Sequence, residues 1–252
     1  MDINHQIVQL IEAGRPLAVG LVLSAEGSTP REAGVKAAIE ADGRIHGTLG
    51  GGAVEAEAQR RAIEACASGR AVVFEMELTG ATAGDDEPIC GGRMRILVDP
   101  TASKDLAAYR QAAAAAAART RGVLLNAVYT DGETNTEVLW CTEGDLSTTP
   151  LPDDFPDAQA LRECLAAEQA RLFRAGEGQP GGLWGVLVEP VVPGPLLLIA
   201  GGGHVGQALA VQAALLGFEV TVLDDRPEFT DPALFPEGAR TRCGDVEQEL
   251  AA

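Results

Sequence analysis

The sequence predicts an α/β protein in two parts, a mixed α/β first region followed by a short parallel strand–helix–strand unit. Three observations carry that expectation. From the N-terminus to about Gly182, short apolar runs bounded by Pro, Gly or Asp alternate with stretches of helical spacing. A proline-punctuated segment, Pro190 to Pro195, then interrupts the pattern. Beyond it an unbroken apolar run, Leu196 to Ala200, enters a glycine-rich turn and a second helical stretch, the order of a parallel crossover.

The elements follow in order. Ile3, Ile7, Leu10 and Ile11 share one face of a first helix. Leu17 to Ser24, between Pro16 and Gly27, reads as a buried strand. Val35 to Glu40 is a second strand, joined through the hairpin turn Asp42-Gly43 to Arg44 to Leu49. Val54 to Ser68 is a helix that ends near Gly69. Ala71 to Glu77 and Met94 to Val98 are strands, the second stopped by Asp99-Pro100. Lys104 to Arg119, with its alanine run, is a helix on propensity alone. Val123 to Thr130 and Glu137 to Cys141 flank Asp131-Gly132 as another hairpin. After the linker Pro150 to Pro156, Ala158 to Phe173 reads as helix, Gly176 to Gly182 as a glycine-rich loop and Trp184 to Glu189 as a strand. The expected domains are 1–189, with a linker and helical region at about 142–182, and 195–252.

Composition narrows the function classes. The formal net charge of −18 opposes nucleic-acid binding, which needs clustered Lys and Arg to neutralise phosphates. The most apolar region, Leu183 to Ala200, is broken by Glu189, Pro190, Pro193 and Pro195, so no membrane span is expected. The first residues lack the basic start and apolar block of a leader, and a soluble cytoplasmic protein is expected. Cys66, Cys90, Cys141, Cys164 and Cys243 are scattered without metal-ligand spacing or the pairing of a disulfide framework.

The second part carries the clearest chemistry. Leu196 to Ala200 runs into Gly201-Gly202-Gly203-His204-Val205-Gly206, then a helix over Gln207 to Leu216. In a Rossmann-type unit such glycines have separate tasks. Gly201 permits the tight turn, Gly203 lets the backbone approach a pyrophosphate, and Gly206 allows close helix–strand packing. The helix N-terminus offers free N–H groups and partial positive charge to the phosphates. A branched side chain at Gly203 would obstruct that approach, the more so if φ is positive there. A following strand, Phe218 to Leu223, ends at Asp224-Asp225, where a ribose hydroxyl is usually held, and two acids favour NAD or another nucleotide without a 2′-phosphate. His204 stands at the helix start, either against a phosphate or as an exposed loop histidine. After Asp225 the chain supplies only a short edge strand, Arg240 to Cys243, and a helix start at Val246. The parallel unit is therefore expected to be incomplete, as in a chain truncated at its C-terminus.

Three loops of the first part hold more glycine and small polar residues than packing requires. In Gly27 to Arg31, Ser28 and Thr29 are hydroxyl donors and Arg31 is a guanidinium fork suited to phosphate. Gly50, Gly51 and Gly52 follow a strand and open a helix, the setting of an anion-binding nest, and Glu55 in that helix's first turn is placed to cap its N–H groups. In Cys90-Gly91-Gly92 the thiol is sterically open. Arg93 and Arg95 favour its thiolate, Asp85, Asp86 and Glu87 oppose it, and a buried inert cysteine is the alternative.

Taken in order, GSTPREAGVKAAI (Gly27 to Ile39), DGRIHGTLGGGAVEAEA (Asp42 to Ala58), CGGRMRILVDP (Cys90 to Pro100) and LLLIAGGGHVGQALA with FEVTVLDDRPEF resemble the XdhC/CoxI family. The resemblance implies an N-terminal mixed α/β XdhC/CoxI-type domain followed by a Rossmann-type domain, incomplete here. It further implies an accessory protein that binds molybdenum cofactor (molybdopterin), protects it during sulfuration and delivers it to a xanthine dehydrogenase-type hydroxylase. The implied partners are the hydroxylase apoenzyme and a cysteine desulfurase-type sulfur donor, and a homodimer is compatible. Ala53 stands where many members carry a cysteine, which leaves Cys90 as the candidate thiol ligand to molybdenum. On this reading Gly50 to Gly52, Ser28, Thr29 and Cys90 to Gly92 converge on one surface facing the parallel unit near Gly203. The protein is expected to have no turnover of its own. An NAD-dependent oxidoreductase and a nucleotide-binding scaffold stand as alternatives, although no acid/base pair for hydride transfer is visible among His5, His46 and His204.

Overall fold

The computed structural model describes residues 2–78, 91–176 and 182–251 of the chain. They form two compact units, Met1–Val192 and Pro193–Ala252. In the first unit, α1 (Ile3–Glu12), β1 (Leu17–Glu26), β2 (Lys36–Glu40), β3 (Ile45–Gly47), α2 (Gly52–Ser68), β4 (Val72–Glu77) and β5 (Arg93–Asp99) come first. α3 (Leu106–Ala117), β6 (Gly122–Tyr129), β7 (Asn135–Thr142), α4 (Ala158–Ala167), β8 (Arg171–Arg174) and β9 (Leu183–Val191) follow. They build two antiparallel sheets, ordered β3-β2-β1-β5-β4 and β7-β6-β9-β8.

Side-chain alternation decides how these sheets stack. On β1, Ala18 and Val22 pack with Val54, Ala58, Ala62 and Ala65 of α2, so one sheet face is covered by that helix. Leu21 and Leu23 point the other way and meet Val128 of β6 and Leu187 of β9. The partner sheet turns Val123, Leu125, Val186 and Val188 outward against Leu161 and Leu165 of α4. The result is a sheet-on-sheet sandwich with a helix on each outer face. α1 and α3 pack together over Leu17, Val19, Leu124 and Val191.

The interior of the sandwich holds charge. Lys36 on β2 has a side chain only 1% exposed, and its Nζ lies 2.7 Å from Glu189 Oε2 on β9. Lys36 also donates to Asn4 Oδ1 at 3.1 Å and lies 5.4 Å from the centre of the Tyr109 ring, while Asn126 Nδ2 donates to Glu189 at 3.4 Å. Burial pushes the Glu189 carboxyl up, and the Lys36 ammonium and Asn126 oppose that shift.

Both hairpins occur at the anticipated turns, with β2 paired to β3 and β6 to β7. The segment Ala158 to Phe173 differs from expectation. Its helix stops at Ala167, Glu168 caps it in the left-handed region at φ 53°, and Arg171–Arg174 form an edge strand against β9. Pairing with β9 overrides helix propensity here. β9 also runs through Pro190 to Val191, beyond the expected end at Glu189. Pro190 lies past the last β8 partner, Val188, so one side of β9 is unpaired there and the missing N–H breaks no β8–β9 bond.

The second unit contains β10 (Leu196–Ala200), α5 (His204–Leu215), β11 (Glu219–Asp224), β12 (Arg240–Cys243) and α6 (Val246–Ala251). Its sheet is parallel and ordered β10-β11-β12. Ile199, Val220 and Val222 pack under Ala210 and Ala213 of α5. The helix begins at His204 rather than Gln207 because Gly203, extended at φ −68° and ψ −173°, serves as its N-cap. No helix among the described residues is long and apolar enough to cross a membrane.

Candidate functional site

In the second unit the glycines take up distinct tasks. Gly201, at φ +108°, makes the turn out of β10 in a conformation that disfavours side chains. A Cβ on Gly206 would lie 2.0 Å from the Gly201 carbonyl oxygen and 3.3 Å from Ile199 Cγ2, so α5 sits against β10 only because that carbon is missing. Gly203 departs from one expectation, since its φ is negative and a side chain there meets no conformational penalty. Its contribution is space, because a Cβ built on it has no atom within 4 Å. The α5 N-terminus carries no side-chain cap, and His204 is exposed at its first residue. This open, uncapped helix start fits a phosphate group.

Spacing alone assigns the middle glycine no task, yet a Cβ on Gly202 would stand 1.9 Å from the Phe229 carbonyl oxygen. The loop is thus clamped from below by the segment that follows β11. Asp224 holds the same clamp. Its side chain is only 2% exposed. It accepts Gly202 N–H at 2.8 Å, Arg226 N–H and Nε each at 2.9 Å, and Arg226 Nη2 at 3.0 Å. The Arg226 guanidinium and these N–H donors hold the Asp224 carboxyl far below the usual carboxylate range despite its burial. Arg226 also lies over the Phe229 ring, 4.1 Å from its centre. Asp225, by contrast, has a side chain 76% exposed and only a 3.7 Å approach to Arg226. Arg226 and Phe229 were missed from sequence; their signal was the Arg-Pro-Glu-Phe run after the acidic pair.

In the first unit the structure brings the three loops together. A Cβ on Gly92 would fall 2.4 Å from the Ser28 carbonyl oxygen and 2.7 Å from Thr29 Cγ2, and one on Gly50 would fall 2.7 Å from Pro30 Cγ. The Gly27–Arg31 loop therefore lies between the Gly50 turn and the Gly91-Gly92 segment. Gly91 N–H is bonded to the Leu78 carbonyl and Gly92 accepts from Leu78 N–H, which ties that segment to the end of β4. Glu26, Gly27, Glu77, Gly91, Gly92 and Arg93 line an open groove of about 470 Å³ beside it. Cys90 lies outside the described residues.

The expected nest at Gly50 to Gly52 is corrected by Glu55. Its Oε1 accepts from Thr48 Oγ1 at 2.6 Å, Gly51 N–H at 3.0 Å and Leu49 N–H at 3.1 Å, while Gly50 N–H donates to Thr48 Oγ1 at 3.1 Å. Partial burial would raise this carboxyl, but these donors hold it below its ordinary value. An internal carboxylate already sits where an external anion would sit, so the Gly50 and Gly51 N–H groups are committed, while α2 itself carries no side-chain cap and Glu55 serves the turn ahead of it. Thr29 donates to the Arg31 carbonyl at 3.1 Å. Ser28 and Arg31 are exposed. The donors that fit a phosphate here are thus the Ser28 hydroxyl and the Arg31 guanidinium.

Comparison with known proteins reports on both units. Residues 10–76 match the model of the XdhC and CoxI family, and residues 197–249 match that of the XdhC Rossmann domain. The uncharacterized protein YqeB of Escherichia coli (strain K12) is 34% identical over 101 residues, 39% of this chain and 18% of its own length. The chain thus spans under a fifth of that curated relative. The crystal structure of a xanthine dehydrogenase (BH1974) from Bacillus halodurans shares the fold, with a TM-score of 0.77 at 18% identity over 100% of this chain and 70% of that one.

Proposed function

Since the chain belongs to the XdhC/CoxI family at residues 10–76 and to the XdhC Rossmann domain at 197–249, we propose that it serves in the maturation of xanthine dehydrogenase-type molybdenum hydroxylases. In this role it holds the molybdenum cofactor while the terminal sulfur is added and passes it to the apoenzyme, without turnover of its own. The observation that carries the reading is the packing of Gly27–Arg31 against both the Gly50 turn and Gly91-Gly92, beside an open groove.

Within that surface, Ser28 and Arg31 are the residues for the phosphate of a pterin tail, as a hydroxyl and a planar guanidinium are the donors left uncommitted by Glu55. Cys90, next in sequence to Gly91, is the soft ligand for molybdenum. The bound cofactor supplies the metal centre; the chain contributes binding, orientation and shelter. The partners are the hydroxylase apoenzyme and a cysteine desulfurase-type sulfur donor. The second unit binds a nucleotide without a 2′-phosphate, its pyrophosphate at the open start of α5 by Gly203, supported by the uncapped N-terminus and the space above that glycine.

The test is activation of a cofactor-free hydroxylase produced without this protein. Adding the full chain, loaded in cells with an intact cofactor pathway, is expected to raise hydroxylase activity. Activity unchanged from the mixture lacking it would contradict the proposal.

A further inference from the structure

We infer that Asp224 is a positioning residue that locks the glycine loop, and that reading of the nucleotide ribose falls to Asp225. The inference rests on the nucleotide reading of the second unit. A carboxylate offers about four lone-pair sites. Asp224 receives four donors, from Gly202 N–H, Arg226 N–H, Arg226 Nε and Arg226 Nη2, all within 3.0 Å. Its side chain is almost wholly buried. A ribose hydroxyl could reach Asp224 only by displacing the Arg226 guanidinium from it.

The lock also divides the loop's donors. Gly202 N–H is spent on Asp224, and the Phe229 carbonyl closes the space beneath that glycine. A pyrophosphate must therefore be held from Gly203 onward, where the backbone is open. Asp225, the next residue, is exposed and carries a carboxylate with room for a bidentate hydroxyl contact. Two adjacent acids of the same type thus do different work, because one faces inward to the loop and the other faces solvent. A 2′-phosphate brought to Asp225 would meet its charge, so the site takes a nucleoside diphosphate with a free 2′-hydroxyl, for which ADP serves as the probe.

The test uses the full chain with ADP and 2′-deoxy-ADP as probes in calorimetry, together with amide hydrogen exchange. Wild type should prefer ADP by about tenfold, the worth of a hydroxyl bonded to a charged acceptor. Asp225→Asn should reduce that preference several-fold, while Asp224→Asn should keep it and weaken both ligands by a similar factor. The Gly202 amide should exchange faster in Asp224→Asn and as in wild type in Asp225→Asn. Loss of the preference in Asp224→Asn with its retention in Asp225→Asn would overturn the assignment of the reader and leave nucleotide binding standing. An equally slow Gly202 amide in Asp224→Asn would overturn the lock. If wild type binds neither probe, the nucleotide reading itself fails and Asp225 as reader with it, while the exchange measurement still decides the lock.

Discussion

Replacing Lys36 by Met is expected to lower the stability of the first unit by about 3–5 kcal/mol, read as a fall in its urea unfolding midpoint. The size follows from where the pair sits. Lys36 and Glu189 meet inside the sandwich, 2.7 Å apart, with the ammonium side chain 1% exposed. Removing the cation strands a buried carboxylate whose other partner among these groups is Asn126 at 3.4 Å. The attraction between the two charges only offsets what their burial costs, so the pair adds little net stability while the lone partner is severely penalised. The double variant Lys36→Met/Glu189→Gln should therefore recover at least half of the loss, a coupling that a double-mutant cycle isolates. A single variant within about 1 kcal/mol of wild type would show that Glu189 finds water or a proton at no cost.

The second large effect separates two glycines three residues apart. Gly206→Val should destabilise the second unit by about 3 kcal/mol or more, because even its Cβ would stand 2.0 Å from a backbone oxygen that cannot rotate away. Gly203→Val should leave the fold intact, since its backbone is extended and nothing lies within 4 Å of the added carbon. It should instead weaken ADP binding by at least about tenfold, ~1.4 kcal/mol, by filling the approach to the loop. Amide exchange along β10 and β11 reads the first effect and calorimetry the second. Exchange that quickens in Gly203→Val and not in Gly206→Val would reverse the roles given to the two positions.

The parts of the fold that local patterning controls were legible in the sequence. The Asp42-Gly43 and Asp131-Gly132 hairpins, the Gly69 stop of α2 and the strand–glycine–helix order after Pro195 all state their geometry within a few residues. What failed depends on distant partners. Glu168-Gln169-Ala170 holds no glycine or proline, so nothing local announces the end of α4, and β8 exists because β9 offers it an edge. The sandwich arrangement was equally hidden, although Lys36 and Glu189 at inward positions of apolar strands were a usable clue.

At the candidate site the residue types were legible but their commitments were not. The glycine triplet at Gly50 promised free N–H groups, and Thr48 and Glu55 take those of Gly50 and Gly51. The Asp224-Asp225 pair promised ribose contacts, and the geometry spends the first acid on Gly202 and Arg226. In both places groups of the protein itself take the partners that the sequence offered to a ligand. Spacing reveals which groups are near a loop, and only the fold reveals which of them are already satisfied.

The central claim is that the first unit holds molybdenum cofactor through the loops around Ser28 and Arg31. The most direct measurement is the pterin content of the full chain purified from cells with an intact cofactor pathway, identified by oxidation and fluorescence. The account predicts pterin co-purifying with wild type in stoichiometric amount, and a several-fold loss in Arg31→Gln, whose exposed side chain should leave stability unchanged. Absence of pterin from the wild-type protein, or equal content in both proteins, would contradict it.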